Sequence, residues 1–255
     1  MEYKKCPVCM SMYTLYTQDV LGKRTSKMYP QRFCMDCHSF FHNTGYKETS
    51  EQKAFDFEML FSNRENHRAI QGQLLLELIT KLSGIKNVLE IGHGIGLFLK
   101  SCEDYGLDAH GFELNEECHR FAREELQVSS ELGLFGQEHE RTYDLITAIH
   151  VFEHLERPRD LFEVMRDHLN PDGAIYISVP FVERSQWKYL WQAGKPASSN
   201  PHDVFDDNDV HITHFSINGM RNMGVSLGAK SSEYFVSKDV YHHSPGAYQG
   251  VLFRF

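Results

Sequence analysis

The chain has 255 residues, of which 41% are hydrophobic, and a formal net charge of −9. This is enough for one domain of roughly 190 residues plus a small appendage, with a core that needs no disulfides. Apolar runs such as 173–181 fall far short of the roughly 20 residues that span a bilayer, and the acidic balance argues against bulk nucleic acid as a partner. The amino terminus, MEYKKC, has no apolar stretch behind its lysines, so no signal peptide is expected and the expected compartment is cytoplasmic. The charge is uneven: residues 1–50 carry seven Lys/Arg and four Asp/Glu.

The first section, residues 1–46, holds four of the six cysteines as two C-x-x-C pairs, Cys6/Cys9 and Cys34/Cys37, with 24 residues between them. Four thiolates at this spacing close a tetrahedral shell, so a structural zinc ribbon is expected, with a β-hairpin between the knuckles. A redox dithiol is the alternative, but neither pair has a thioredoxin-like setting. Cys102 and Cys118 fall on predicted helices and read as small buried hydrophobes.

Residues 47–62 read as a linker. Ile70, Leu74, Leu78 and Leu82 then recur every four residues along one helical face, and Gly84 ends that helix. Strand and helix signals alternate from here: strand 88–91, helix 97–105, strand 108–114, and helix 116–127 with Asn115 as its N-cap. A weak third strand near 128–135 follows, then strand 143–150, helix 158–169 led by Pro158, a turn at 170–173 and strand 174–180. Alternation of this kind predicts a mostly parallel sheet with helices on both faces. Residues 181–210 are polar, carry Trp187, Tyr189 and Trp191, and read as a lid. A helix at 216–227 and strands 229–237 and 248–255 complete the chain.

The strongest motif is Val88-Leu89-Glu90-Ile91-Gly92-His93-Gly94-Ile95-Gly96. A buried strand runs into glycines that let the backbone turn sharply and approach a ligand, and a helix amino terminus follows. The third position of a dinucleotide fingerprint is Leu97 instead of glycine. An acid inside the strand, Glu90, suits a cationic ligand better than a pyrophosphate. Glu113 ends the next strand, where a carboxylate accepts ribose hydroxyls.

With VLEIGHGIG, GFEL, YDLITAIHVFEHLERP and LNPDGAIYISVP, residues 85–181 resemble the class I S-adenosylmethionine-dependent methyltransferases. The resemblance implies a Rossmann-like α/β fold: a seven-stranded, mostly parallel sheet with an antiparallel last strand, over residues 63–255, with 181–215 as lid or substrate insertion. It also implies S-adenosylmethionine as cofactor. Glu90, Gly92, His93, Gly94 and Gly96 would hold its methionine part, Glu113 with Leu114 its ribose, and Gln137 its adenine.

His150, Glu153 and His154 form H-x-x-E-H, a zinc-peptidase pattern rejected here because it follows a buried strand in this layout. His150 at that strand's end suits a general base beside the transferred methyl. The segment is also similar to the E-x-x-E-H stretch of ubiquinone-pathway O-methyltransferases, so a divalent ion on the trio and a helix-bracing role both stay open. His211 and His214 read either as substrate-facing or as a structural turn before an N-cap at Ser216, and His154 and His211 join His150 as candidate catalytic residues. The implied function is methyl transfer by direct displacement to a small hydroxylated acceptor, a sugar or other metabolite. The alternatives are an RNA or protein methyltransferase that docks its polymer through the zinc ribbon, and a non-catalytic binding module that retains the fold.

Overall fold

A computed structural model describes residues 4–22, 26–42, 50–182, 210–237 and 248–255, with only the helical backbone at 50–55. Seven strands form the main sheet: β4 (Asn87–Ile91), β5 (Asp108–Glu113), β6 (Ser130–Leu132), β7 (Tyr143–Ile149), β8 (Leu169–Ser178), β10 (Ser231–Val236) and β11 (Gln249–Arg254). Their order is β10-β11-β8-β7-β4-β5-β6, and β11 runs antiparallel to both neighbours. This is the Rossmann-like sheet expected from the sequence. The turn at 170–173 is an irregular excursion at the start of β8, because register with β7 jumps between Tyr143 and Leu145.

Strand alternation sorts the core onto two faces. Leu89, Ile146, Ala148, Ile175, Ile177, Val251 and Phe253 point to one side. There they pack with Phe162 and Met165 of α5 (Pro158–Asp167) and Met220 and Met223 of α6 (Ile217–Ser226). Val88, Leu145, Tyr176 and Leu252 point to the other side, against Ile70, Leu74, Leu75 and Leu78 of α2 (Arg64–Lys81) and Phe98 and Leu99 of α3 (Leu97–Asp104). Asn115 caps α4 (Glu116–Glu124) by accepting from the Glu117 and Cys118 amides, and Ser216 caps α6 by accepting from Gly219.

The structure differs from the sequence expectation in two places. Residues 50–62 form a helix, α1 (Ser50–Ser62), and not a linker. Phe57 and Phe61, one turn apart, close on Phe121 of α4 with ring centroids 6.1 and 5.5 Å away, and that contact holds the helix in place. The end of the expected lid is also buried: Val210, Ile212, Thr213, His214 and Phe215 are interior residues. The reason is a second, antiparallel sheet of order β1-β2-β3-β9. It comprises β1 (Thr14–Leu21), β2 (Met28–Cys34), β3 (Phe40–Phe41) and β9 (Thr213–His214). The amino-terminal hairpin is therefore continuous with the end of the expected lid. Trp187, Tyr189 and Trp191 lie outside the described residues.

Candidate cofactor and acceptor site

The glycine turn lies at the carboxyl end of β4. Gly92, Gly94 and Gly96 all have left-handed backbones, with φ of 68°, 55° and 81°, a region that L side chains rarely occupy. A Cβ on Gly92 would sit 2.5 Å from Val151 Cγ2, so the turn touches the loop after β7. A Cβ on Gly94 would approach Leu60 of α1 at 3.3 Å, which places α1 over the turn. The sequence reading missed this contribution, although the Phe57/Phe61 spacing signals a helix there.

Two carboxylates converge on the turn. Glu90 is 1% exposed, and its Oε2 has no hydrogen-bond partner. Burial, reinforced by the charge of Glu113, pushes its carboxyl well above the usual carboxylate range. A cation beside it would relieve both the orphaned oxygen and the penalty on the charged form. A pyrophosphate would worsen both, so the site fits the ammonium and sulfonium of S-adenosylmethionine. Glu113 accepts from the Gly94 amide at 2.7 Å and from the Leu114 and Asn115 amides at 2.8 Å, which fixes it at the lip of the turn. His93 is 4% exposed, and burial pushes its imidazole down to about 4, so it is neutral at the foot of the turn.

Gln137 is set apart from these residues. It is exposed and reaches Asp167, at the carboxyl end of α5, from 3.4 Å. The chain leaves β6 at Gly133, whose amide bonds the Glu113 carbonyl at 2.9 Å, and then descends away from the strand ends. Leu114, next to Glu113 in the chain, and Leu134, next to Gly133, are 52% and 75% exposed. Both side chains offer exposed apolar surface.

His150 follows β7 with a left-handed φ of 56°, an uncommon conformation for a non-glycine residue. Its Nδ1 lies 3.1 Å from Glu153 Oε1. Burial alone would raise the Glu153 carboxyl, but the His150 hydrogen bond and the charges of His154, His150 and His211 hold it at about 2. The fold merges the two histidine clusters that the sequence left separate. The Ile212 amide donates to the Glu153 carbonyl at 2.8 Å, and the His154 and His211 rings lie 5.0 Å apart. Ligand atoms of Glu153, His154 and His211 all fall within 4.8 Å of one another, a spacing that a divalent cation accepts. Tyr248 closes the other side: its ring is 5.6 Å from His150, and its hydroxyl meets Gln71 at 3.3 Å and His67 at 3.4 Å. Tyr248, Gln71 and His67 were not singled out in the sequence because two distant segments, α2 and the residue before β11, supply this wall and its approach.

The four amino-terminal cysteines gather as expected. Cys6–Cys37 and Cys9–Cys34 sulfurs are 3.6 and 3.5 Å apart, and all four lie within 4.8 Å of one another. Disulfide sulfurs sit at about 2.05 Å, whereas zinc bound at about 2.3 Å sets tetrahedral sulfurs about 3.8 Å apart. The knuckles share one local geometry: Met10 and His38 are left-handed, and their amides return to the Cys6 and Cys34 carbonyls at 3.0 and 2.9 Å. Hydrogen bonds from Cys37, Cys6 and Cys9 hold the Cys34 thiol far down, while those involving Cys34, Cys37 and Cys9 push Cys6 far up. A central cation would remove that conflict, so the donor set fits zinc.

The family with the description "Methyltransferase domain" matches residues 62–225. Among curated proteins, the chain is similar to the ubiquinone biosynthesis O-methyltransferase of Shewanella sp., at 27% identity over 36% of this chain and 43% of that protein. It is also similar to the same-named protein of Yersinia enterocolitica, at 24% identity over 57% and 67%. The chain spans about half the length of the curated relatives it matches. Among solved structures, Streptomyces venezuelae DesVI aligns with a TM-score of 0.56 at 14% identity, over 81% of this chain and 99% of that one. The plantazolicin methyltransferase BpumL, in complex with a pentazolic desmethylPZN analog and SAH, aligns with 0.57 at 14% identity, over 80% and 91%. With more than half of its length matched, this chain belongs to the methyltransferase-domain family.

Proposed function

We propose that this chain is an S-adenosylmethionine-dependent methyltransferase acting on a small hydroxylated acceptor, a sugar or other metabolite, in the cytoplasm. One observation carries the reading: a buried acid with an orphaned oxygen, a left-handed glycine turn and a lip carboxylate meet at one strand end. The names of the similar proteins, which include ubiquinone biosynthesis O-methyltransferases and a plantazolicin methyltransferase, support a small acceptor. The formal charge of −9 weighs against the RNA alternative. Among the described residues, no helix is long and apolar enough to cross a membrane.

The bound cofactor supplies an electrophilic methyl on a sulfonium. Glu90 and the turn amides would hold its amino-acid end, Glu113 the ribose and Leu114 with Leu134 the base. His150 donates Nδ1–H to Glu153, which leaves Nε2 to take the proton of an acceptor hydroxyl. The Glu153 carboxylate then stabilises the imidazolium that forms, as an acid behind a catalytic histidine does. Calorimetry with S-adenosylmethionine tests the site. The wild type binds, and Gly94→Arg, which puts a large side chain into the Leu60 contact, does not. Equal affinity in the two proteins removes the assignment.

A further inference from the structure

We infer that the amino-terminal four-cysteine section is a positioning element of the acceptor site: its metal holds His211 and His214 in place while the cofactor site stands independently. The inference rests on the methyl-transfer reading for the role of those histidines and on the fit of the cysteines to zinc.

The link is a continuous run of hydrogen bonds. The Cys34–Cys37 knuckle is the turn between β2 and β3. Phe40 and Phe41 of β3 pair with His214 and Thr213 of β9, and the His42 amide bonds the Ile212 carbonyl at 3.0 Å. The Ile212 amide in turn bonds the Glu153 carbonyl at 2.8 Å. Beyond β9, the Ser216 amide donates to Ser39 Oγ at 3.1 Å, and the Ser216 hydroxyl donates to the Cys37 carbonyl. A Cβ on Gly219 would lie 2.6 Å from Ser39 Oγ, so the first turn of α6 is fitted against the knuckle. Arg159 of α5 anchors the other knuckle through the Val8 carbonyl at 3.0 Å.

The section has almost no core of its own. Cys6, Val8, Cys34, Cys37 and Phe41 belong to the same buried cluster as Phe152, Phe215 and Met220. A two-residue strand such as β9 cannot hold its own register, and a section this small needs its metal to fold. The glycine turn is built on β4, β5, α1 and α3, and none of the hydrogen bonds in the run just described ends on those elements. Metal loss should therefore loosen 210–216 and leave residues 92–97 intact.

The test is hydrogen exchange by mass spectrometry on metal-loaded protein, on protein stripped of zinc, and on the Ser39→Ala variant. Zinc content is measured by native mass spectrometry, and cofactor affinity by calorimetry. Stripping should raise exchange at 210–216 and 152–154 at least tenfold, while exchange at 92–97 and cofactor affinity change less than twofold. Ser39→Ala keeps its zinc and should show a smaller rise confined to 210–219, which keeps the test informative if stripped protein unfolds. Unchanged protection at 210–216, equal loss at 92–97, or protein that takes up no zinc overturns the inference. Failure to bind cofactor with the exchange pattern intact would instead count against the methyl-transfer reading.

Discussion

Glu153 gives the sharpest quantitative test of the acceptor site. Its side chain is 2% exposed, and its carboxyl is held at about 2 against an ordinary 4.5. The folded protein therefore binds this proton more weakly than the unfolded chain does. The resulting stabilisation, about 3 kcal/mol, is complete above the unfolded value and is lost as pH falls toward 2. Between about pH 6 and about pH 3 roughly 2 kcal/mol of it should disappear. Glu153→Gln has no such proton to bind, so the difference in urea unfolding free energy between wild type and variant should shrink by that amount across the window. Taking the difference cancels the other carboxylates. Parallel acid limbs for the two proteins would refute the idea that the three imidazoles hold Glu153 ionised.

His150→Ala should lower turnover by about 10²–10⁴-fold, the usual contribution of a positioned general base, with cofactor affinity by calorimetry unchanged. Turnover that tracks added magnesium or manganese and tolerates His150→Ala would assign the acceptor's deprotonation to a cation at Glu153, His154 and His211. Leu134→Asp should weaken S-adenosylmethionine binding about tenfold by removing apolar cover from the base. If affinity is unaffected, the base does not lie over Leu134.

The fold class was legible in the sequence because it is written in local periodicity. Buried strands such as 143–149 and 174–178, caps at Asn115 and Ser216, and glycines at turn positions each act within a few residues. The cysteine spacing and the Glu90–Glu113 pair were legible for the same reason, since residue type and separation alone imply their chemistry. The position of Gln137, beside Asp167 at the end of α5, was not legible because tertiary packing sets the path of the chain after β6. Residues 50–62 appeared to be a linker because the partner of Phe57 and Phe61 is Phe121, some sixty positions later. Only tertiary structure could join His150, Glu153 and His154 to His211 and His214, or pair the cysteine section with the strand that carries His214. Those contacts run through β3 and β9, neighbours in the smaller sheet with two residues each, and strands that short leave no periodicity to read in a sequence.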